Sequence, residues 1–282
     1  MIKKAIGIFK VGGVSGLLRS THSRLRGLMA RRAISFSTYR NEFFGKTGIE
    51  IGGPSPVFSR RGIFPVYPIV GRLDNCNYSD TTTWDGACTS GETYEFDPKR
   101  PAGMQHIVEA TSLKGLPSNS CDFVLSSHML EHTANPMLAL SELRRLLVDR
   151  GILVLVLPDK RYTFDHRRPV TTLDHLIKDF NEKITEEDLT HLPEIVALHD
   201  LTRDPEAGDM MAFKLRSKRN SENRCLHHHV FDLDLAVRLV EYVGFEVQAT
   251  EEIAPHHLLL VAKSESLIPL SEFPEPALGQ CH

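Results

Sequence analysis

Two groups of residues in this chain have types and spacings that can do chemistry. The first is the corner Glu50-Ile51-Gly52-Gly53-Pro54-Ser55, where a short apolar run ends in an acid, two glycines, a proline and a serine. Glycines at 52 and 53 remove side chains that would block a ligand, and they permit positive φ. The phosphate-cradling G-x-G-x-x-G pattern and a P-loop lysine are both absent. Glu50 can pair with a cationic ligand group, so the corner suits a nucleoside carrying positive charge, and S-adenosylmethionine (SAM) fits that description. The competing reading is a structural glycine turn beside a surface glutamate.

The second group is rich in histidine. His128, Glu131 and His132 fall at i, i+3 and i+4 at the start of a helical pattern, where they share one face and can converge on a divalent metal. Beyond residue 158 come Asp165-His166-Arg167-Arg168, His175, Asp179, His191, His199-Asp200 and His227-His228-His229. Imidazole titrates near neutral pH and is the natural proton acceptor for a sugar or phenol hydroxyl. The expected catalytic bases are His128 and His229, with Asp165 or Asp200 orienting the ring. Arg167 and Arg168 can bind an anionic substrate group. In an extended run His227 and His229 lie on one face, so at most two of the triplet reach one site. For any single histidine here, a structural role is the alternative.

These residues need elements to position them. Residues 47–51 predict a buried strand, 63–73 a second ending at Asp74, 106–110 a third and 122–127 a fourth. A helical stripe runs from Met137 through Leu147, and the apolar run 152–157 is typical of a buried parallel strand. Residues 77–101 read as loop. After the polar stretch, 233–242 predict a helix capped by Gly244, followed by strands at 245–249 and 257–262. Alternating strands and helices predict an α/β, Rossmann-like, mostly parallel seven-stranded sheet with helices on both faces and a polar insert after strand five. The expected organisation is a basic amphipathic arm (1–41), a main domain (42–264) with an insert (159–226) capping the substrate, and a loose tail (265–282).

Composition narrows the class. The chain has 282 residues, 41% hydrophobic and 24% charged, with net charge −3, which is ordinary for a globular protein. Five scattered cysteines without a C-x-x-C pair suggest free thiols in a reducing compartment, hence a cytoplasmic protein. Before Glu42 every charged residue is Lys or Arg, so residues 1–40 can contact an anionic surface such as the inner face of a bacterial membrane. Nucleic acid is a disfavoured partner, because the body is acidic and aromatics do not interleave with the cations.

The order of motifs resembles the class I SAM-dependent methyltransferases, particularly the small-molecule branch called type 11. The resemblance covers roughly residues 46–263 without the insert. It is carried by G-I-E-I-G-G-P-S, I-V-E-A-T-S-L, C-D-F-V-L-S-S-H-M-L-E-H, L-L-V-D-R-G-I-L-V-L-V-L-P and V-F-D-L-D-L-A-V-R-L-V-E-Y-V-G-F-E-V. It implies that Glu50, Gly52, Gly53 and Ser55 surround the methionine part of SAM. Asp74, 24 positions after Glu50, would grip the ribose hydroxyls; a solvated loop aspartate is the alternative. Glu109 and Ala110 would read the adenine edge, and Ser126 and Ser127 would close the pocket floor. His128-x-x-Glu131-His132 is similar to the Glu-x-x-Glu-His metal set of ubiquinone-pathway and small-RNA 2′-O-methyltransferases. With His128 in place of the first Glu, an ion softer than magnesium is favoured. In metal-free relatives the Glu-His pair orders the helix start. The implied activity is methyl transfer from SAM, with oxygen on a small molecule or cell-envelope glycan sugar as acceptor. The alternatives are a non-catalytic partner subunit of the same fold and a nucleic-acid methyltransferase.

Overall fold

The computed structural model describes residues 32–83 and 86–265. Its centre is an eight-stranded sheet: β1 (Thr47–Ile51), β2 (Arg72–Asn77), β3 (Gly91–Tyr94), β4 (Gly103–Ile107), β5 (Cys121–Ser127), β6 (Leu147–Pro158), β7 (Phe245–Ile253) and β8 (His257–Ser264). The spatial order is β3-β4-β2-β1-β5-β6-β8-β7. Strands β4, β2, β1, β5 and β6 run parallel, β8 is antiparallel to both its neighbours, and β3 is antiparallel to β4. The order reverses direction at β1, between β2 and β5. A ligand of an open α/β sheet binds beyond the carboxyl ends of the strands at such a switch point.

Both faces are covered, which is why the central strands read as unbroken apolar runs. Successive side chains point to opposite faces, so Leu153, Leu155 and Leu157 of β6 join Ile49, Ile51 and Val124 in one core layer. Ile152, Val154 and Val156 join Phe123 and Leu125 in the other. Helices α2 (Pro136–Leu146) and α7 (Leu233–Tyr242) bury Leu140, Leu143, Leu235 and Leu239 against the first layer. Asn135 accepts from the Leu138 N–H at 3.0 Å with Pro136 at the first helical position, and Asp232 caps α7 through the Leu235 N–H at 2.8 Å. Such caps contribute about 1 kcal/mol each.

The opposite layer is aromatic. Helix α1 (Ile34–Phe43) lays Phe36 and Phe43 against Phe64 and Phe123. Glu251 of β7 accepts from the Ile34 and Ser35 N–H groups at 2.8 Å and fixes the helix start. The part of the expected basic arm that is described therefore packs on the sheet; the rest of residues 1–40 lies outside the described residues, as does the tail beyond 265.

Several expected boundaries move. The second strand is 72–77, and 63–71 instead supplies Ile63, Phe64, Val66, Tyr67 and Val70 to the aromatic core. Its apolar run is buried by packing alone, without a ladder. The stretch expected as loop contains the edge strand β3. The insert holds four helices, α3 (Leu173–Asn181), α4 (Leu192–Leu198), α5 (Met210–Ser217) and α6 (Asn220–Asn223), with a small core of Ile195, Ala207, Phe213 and Leu226. No helix among the described residues is long and apolar enough to cross a membrane.

Candidate functional site

At the end of β1 the chain turns through Gly52, whose φ is +78° and where an added Cβ would meet only Met129, at 3.8 Å. Gly53 is confined for the opposite reason. A Cβ there would sit 2.3 Å from the Tyr94 hydroxyl and 2.4 Å from Glu50 Cδ, so the backbone must lie directly on that pair. Glu50 is fully buried. Its carboxylate accepts from the Ser55 N–H at 3.0 Å and from the hydroxyls of Tyr67, at 2.6 Å, and Tyr94. Asn75, in the neighbouring strand, accepts from the Gly53 N–H at 3.0 Å and donates to the Gly53 carbonyl at 3.2 Å. Glu50 thus anchors the corner from beneath, where the sequence suggested a group facing a cationic ligand. Burial, then the Glu50 charge, holds both phenols far above their ordinary pKa, so they stay protonated and donate.

Asp74 also departs from expectation. It lies three residues before the end of β2, accepts from the Met104 N–H at 2.9 Å and pairs with Arg72 at 3.0 Å. The residue at the carboxyl end of that strand is Asn77. Its side chain is 2% exposed, and its Oδ1 has no hydrogen-bond partner among the described residues. Sequence reading passed over Asn77 because the strand was drawn four residues too early; the clue available was that an amide, like a carboxylate, accepts hydrogen bonds.

Glu109 and Ala110 follow the end of β4, and the Val108 N–H bonds the Asn77 carbonyl at 2.9 Å. The Glu109 carboxylate pairs with Arg224 of the insert, and Arg224 reaches Glu186 at 2.8 Å and lies over the Tyr78 ring. The insert is therefore tied down onto the ends of β2 and β4. Burial raises the Glu109 pKa, with Arg224 acting against it. At the tip of β5, the Ser55 hydroxyl donates to Ser127 Oγ at 3.1 Å, while the Ser126 Oγ is buried and lacks a hydrogen-bond partner among the described residues.

The histidines sort into separate groups. His128 follows β5 in a left-handed conformation (φ +52°), its N–H bonded to the Val156 carbonyl at 2.8 Å. Its Nε2 is 2.9 Å from Nδ1 of His257, with the His256 ring 5.5 Å away. Burial, then its histidine neighbours, pushes the His128 pKa well down, and His257 is pushed down to about 4 by burial and then His256. Both rings are neutral at pH 7. The expected metal set is divided: His128 Nδ1 is 3.7 Å from Glu131, but His128 groups with His256 and His257, while Glu131 and His132 group with His227. Glu131 is 1% exposed, and burial raises its pKa to about 7.

The expected orienting acids serve other rings. Asp165 bonds Nδ1 of His227 and accepts from Arg168 at 3.0 Å. Burial opposes ionisation of Asp165, but His227 and Arg168 outweigh it and hold the pKa at about 2. Arg168 is 1% exposed and also donates to the His227 and His228 carbonyls, so it is closed to a substrate anion, whereas Arg167 remains half exposed beside Asp200. Asp200 accepts from the Thr202 N–H and pairs with His166 at 2.9 Å. His229 points elsewhere again, into a group with His175, Asp179 and His191. His227 and His229, expected on one face, serve different clusters: Nδ1 of His227 bonds Asp165, and Nε2 of His229 bonds the Ala134 carbonyl at 3.2 Å.

Comparison with known proteins agrees with this frame. Residues 89–155 match the family described as Methyltransferase domain. No curated protein matches the chain. Among solved structures, it is similar to a SAM-dependent methyltransferase from Aquifex aeolicus (12% identity, 81% of this chain and 88% of that one, TM-score 0.42). It is also similar to one from Mesorhizobium loti (14%, 81% and 95%, TM-score 0.45). Residues 89–155 carry the methyltransferase domain, and the open, mostly parallel sheet around them suits a SAM-dependent methyltransferase. The chain is an enzyme of that class; its methyl acceptor is the open question.

Proposed function

We propose that this methyltransferase acts on a hydroxyl oxygen of a small molecule or cell-envelope glycan sugar, with His128 as the proton acceptor. The observation that carries this reading is the His128–His257 hydrogen bond of 2.9 Å at the carboxyl tip of β5, beside the glycine corner.

The residues at the corner fit the cofactor. Gly52 keeps the end of β1 free of any side chain but Met129, and the buried Asn77 Oδ1, without a partner among the described residues, is an acceptor for a donor such as a ribose hydroxyl. Gly52, Gly53, Ser55, Asn77, Glu109, Ala110 and Ser126 are the residues that would hold SAM. When bound, SAM supplies a methyl group already activated by its sulfonium. What remains for the chain is to exclude water, align the acceptor and take its proton. A neutral His128 has a lone pair for that proton, and His257 can receive it in turn through their shared hydrogen bond.

The anchoring roles of Glu50 and Asp74 mean that their presence does not separate an enzyme from a non-catalytic subunit. The His128–His256–His257 group supports the enzyme reading, because it sets a proton acceptor at the tip of β5. The acidic body and single Trp continue to disfavour nucleic acid. The test is transfer of labelled methyl from SAM into fractionated cell extract: label in a low-mass or glycan fraction supports the reading, and label confined to protein or nucleic acid refutes it. Peripheral membrane contact is a separate part of the proposal. Because α1 packs on the core, deletion of residues 1–31 is the correct truncation, and unchanged sedimentation with anionic vesicles would refute that contact.

A further inference from the structure

The geometry points to a structural zinc site, formed by His175, Asp179, His191 and His229, that staples the insert to the methyltransferase core. It goes beyond the methyl-transfer reading and does not depend on it.

His175 and Asp179 lie one turn apart on α3, so they share a face. His191 immediately precedes α4, and His229 lies on the segment returning from the insert to α7. Three separate stretches of chain would otherwise have no reason to bring these groups together. Nε2 of His175 is 3.1 Å from Nε2 of His191 and 3.2 Å from Oδ2 of Asp179. One ligand atom from each residue lies within 4.8 Å of all the others. A tetrahedral zinc ion with bonds of about 2.0–2.1 Å separates its ligand atoms by roughly 3.3–3.4 Å. The spacings fall around that edge length.

Hydrogen bonding explains the cluster poorly. Two imidazole nitrogens facing each other can share one proton, yet among the described residues Asp179 Oδ2 has no aligned donor and the Nδ1 of His229, a residue only 1% exposed, has no partner. A half-buried set of lone pairs brought this close is costly unless a cation sits among them. The Ala134 carbonyl, 3.2 Å from Nε2 of His229, is the kind of contact a ligating histidine makes through its second nitrogen. Three nitrogens and one oxygen suit zinc over magnesium or calcium, and four protein ligands leave no open position for substrate, which makes the site structural.

The test uses the full chain. Zinc is measured by mass spectrometry in purified protein, and after chelator dialysis Co²⁺ is added and the visible spectrum recorded. The expected result is about one zinc per chain and the strong d–d absorption of tetrahedral cobalt, as for four-coordinate sites. Both should be lost in His191→Ala and Asp179→Asn and retained in His256→Ala. Should the variants not fold, the cobalt spectrum of the unmodified chain decides alone. Absence of both zinc and that spectrum overturns the proposal, as does a metal retained in folded His191→Ala.

Discussion

Glu50 accepts the Ser55 N–H at 3.0 Å from below the Gly53–Pro54 link, so the acid of the corner shapes the loop and does not face the ligand. Removing it in Glu50→Ala takes away the buried acceptor of the Tyr67 and Tyr94 hydroxyls, while the Ser55 N–H keeps the Tyr67 oxygen. We expect a loss of about 3 kcal/mol or more, at roughly 1–3 kcal/mol per buried orphan. Urea unfolding measures it. Gly53→Ala should destabilise as well, since its Cβ has no room beside Tyr94 and Glu50.

The contrast between Asn77 and Asp74 gives a second expectation. Loss of a neutral hydrogen bond costs about 1–1.5 kcal/mol, so Asn77→Ala should weaken S-adenosylhomocysteine binding roughly tenfold. Asp74→Ala should change it little. Calorimetric titration compares them, and the reverse ranking would return the ribose role to Asp74.

His128→Ala should lower turnover by about 10²-fold or more while the cofactor is still held, the usual scale for a lost general base. Because its neighbours and burial keep the His128 pKa well below 6.5, the base form persists as pH falls. The rate assigned to it should therefore show no fall on crossing pH 6.5 downward. A pH–rate profile with a midpoint there would point to a different base.

Glu131 makes stability depend on pH. Its folded pKa of about 7 lies above the ordinary 4.5, so the folded state binds the extra proton between these values. Stability from this group is present below about pH 4.5 and is lost as pH rises through 7, by roughly 3 kcal/mol in all. Glu131→Gln should flatten the fall between about pH 4.5 and 7, as read by denaturant midpoints.

Asp165→Asn should be severe. It removes the buried anion shared by Arg168 and His227, leaving Arg168 only the partly exposed Glu194, and breaking such a buried pair costs about 3–5 kcal/mol. The measurement is the shift in urea midpoint, with Arg167→Ala, half exposed, as the mild comparison.

The repeating order of strands and helices, and the glycine corner, were legible in the residues alone. Burial on both faces writes itself into continuous runs such as 152–157, and a helix such as Leu233–Tyr242 carries its own cap and stop. Residue period, turn chemistry and capping are local, so sequence determines them. Which polar groups meet is a different matter. Nothing local tells that Glu50 turns under Gly53 toward two tyrosines from outside its strand, or that Asp165 serves His227 and leaves His229 to Asp179. The strand that carries Asp74 begins nine residues after the apolar run suggested, because 63–71 is buried by aromatic packing without forming a ladder. Pairings between groups tens of residues apart depend on how the sheet and insert close in space, and only the tertiary structure decides them.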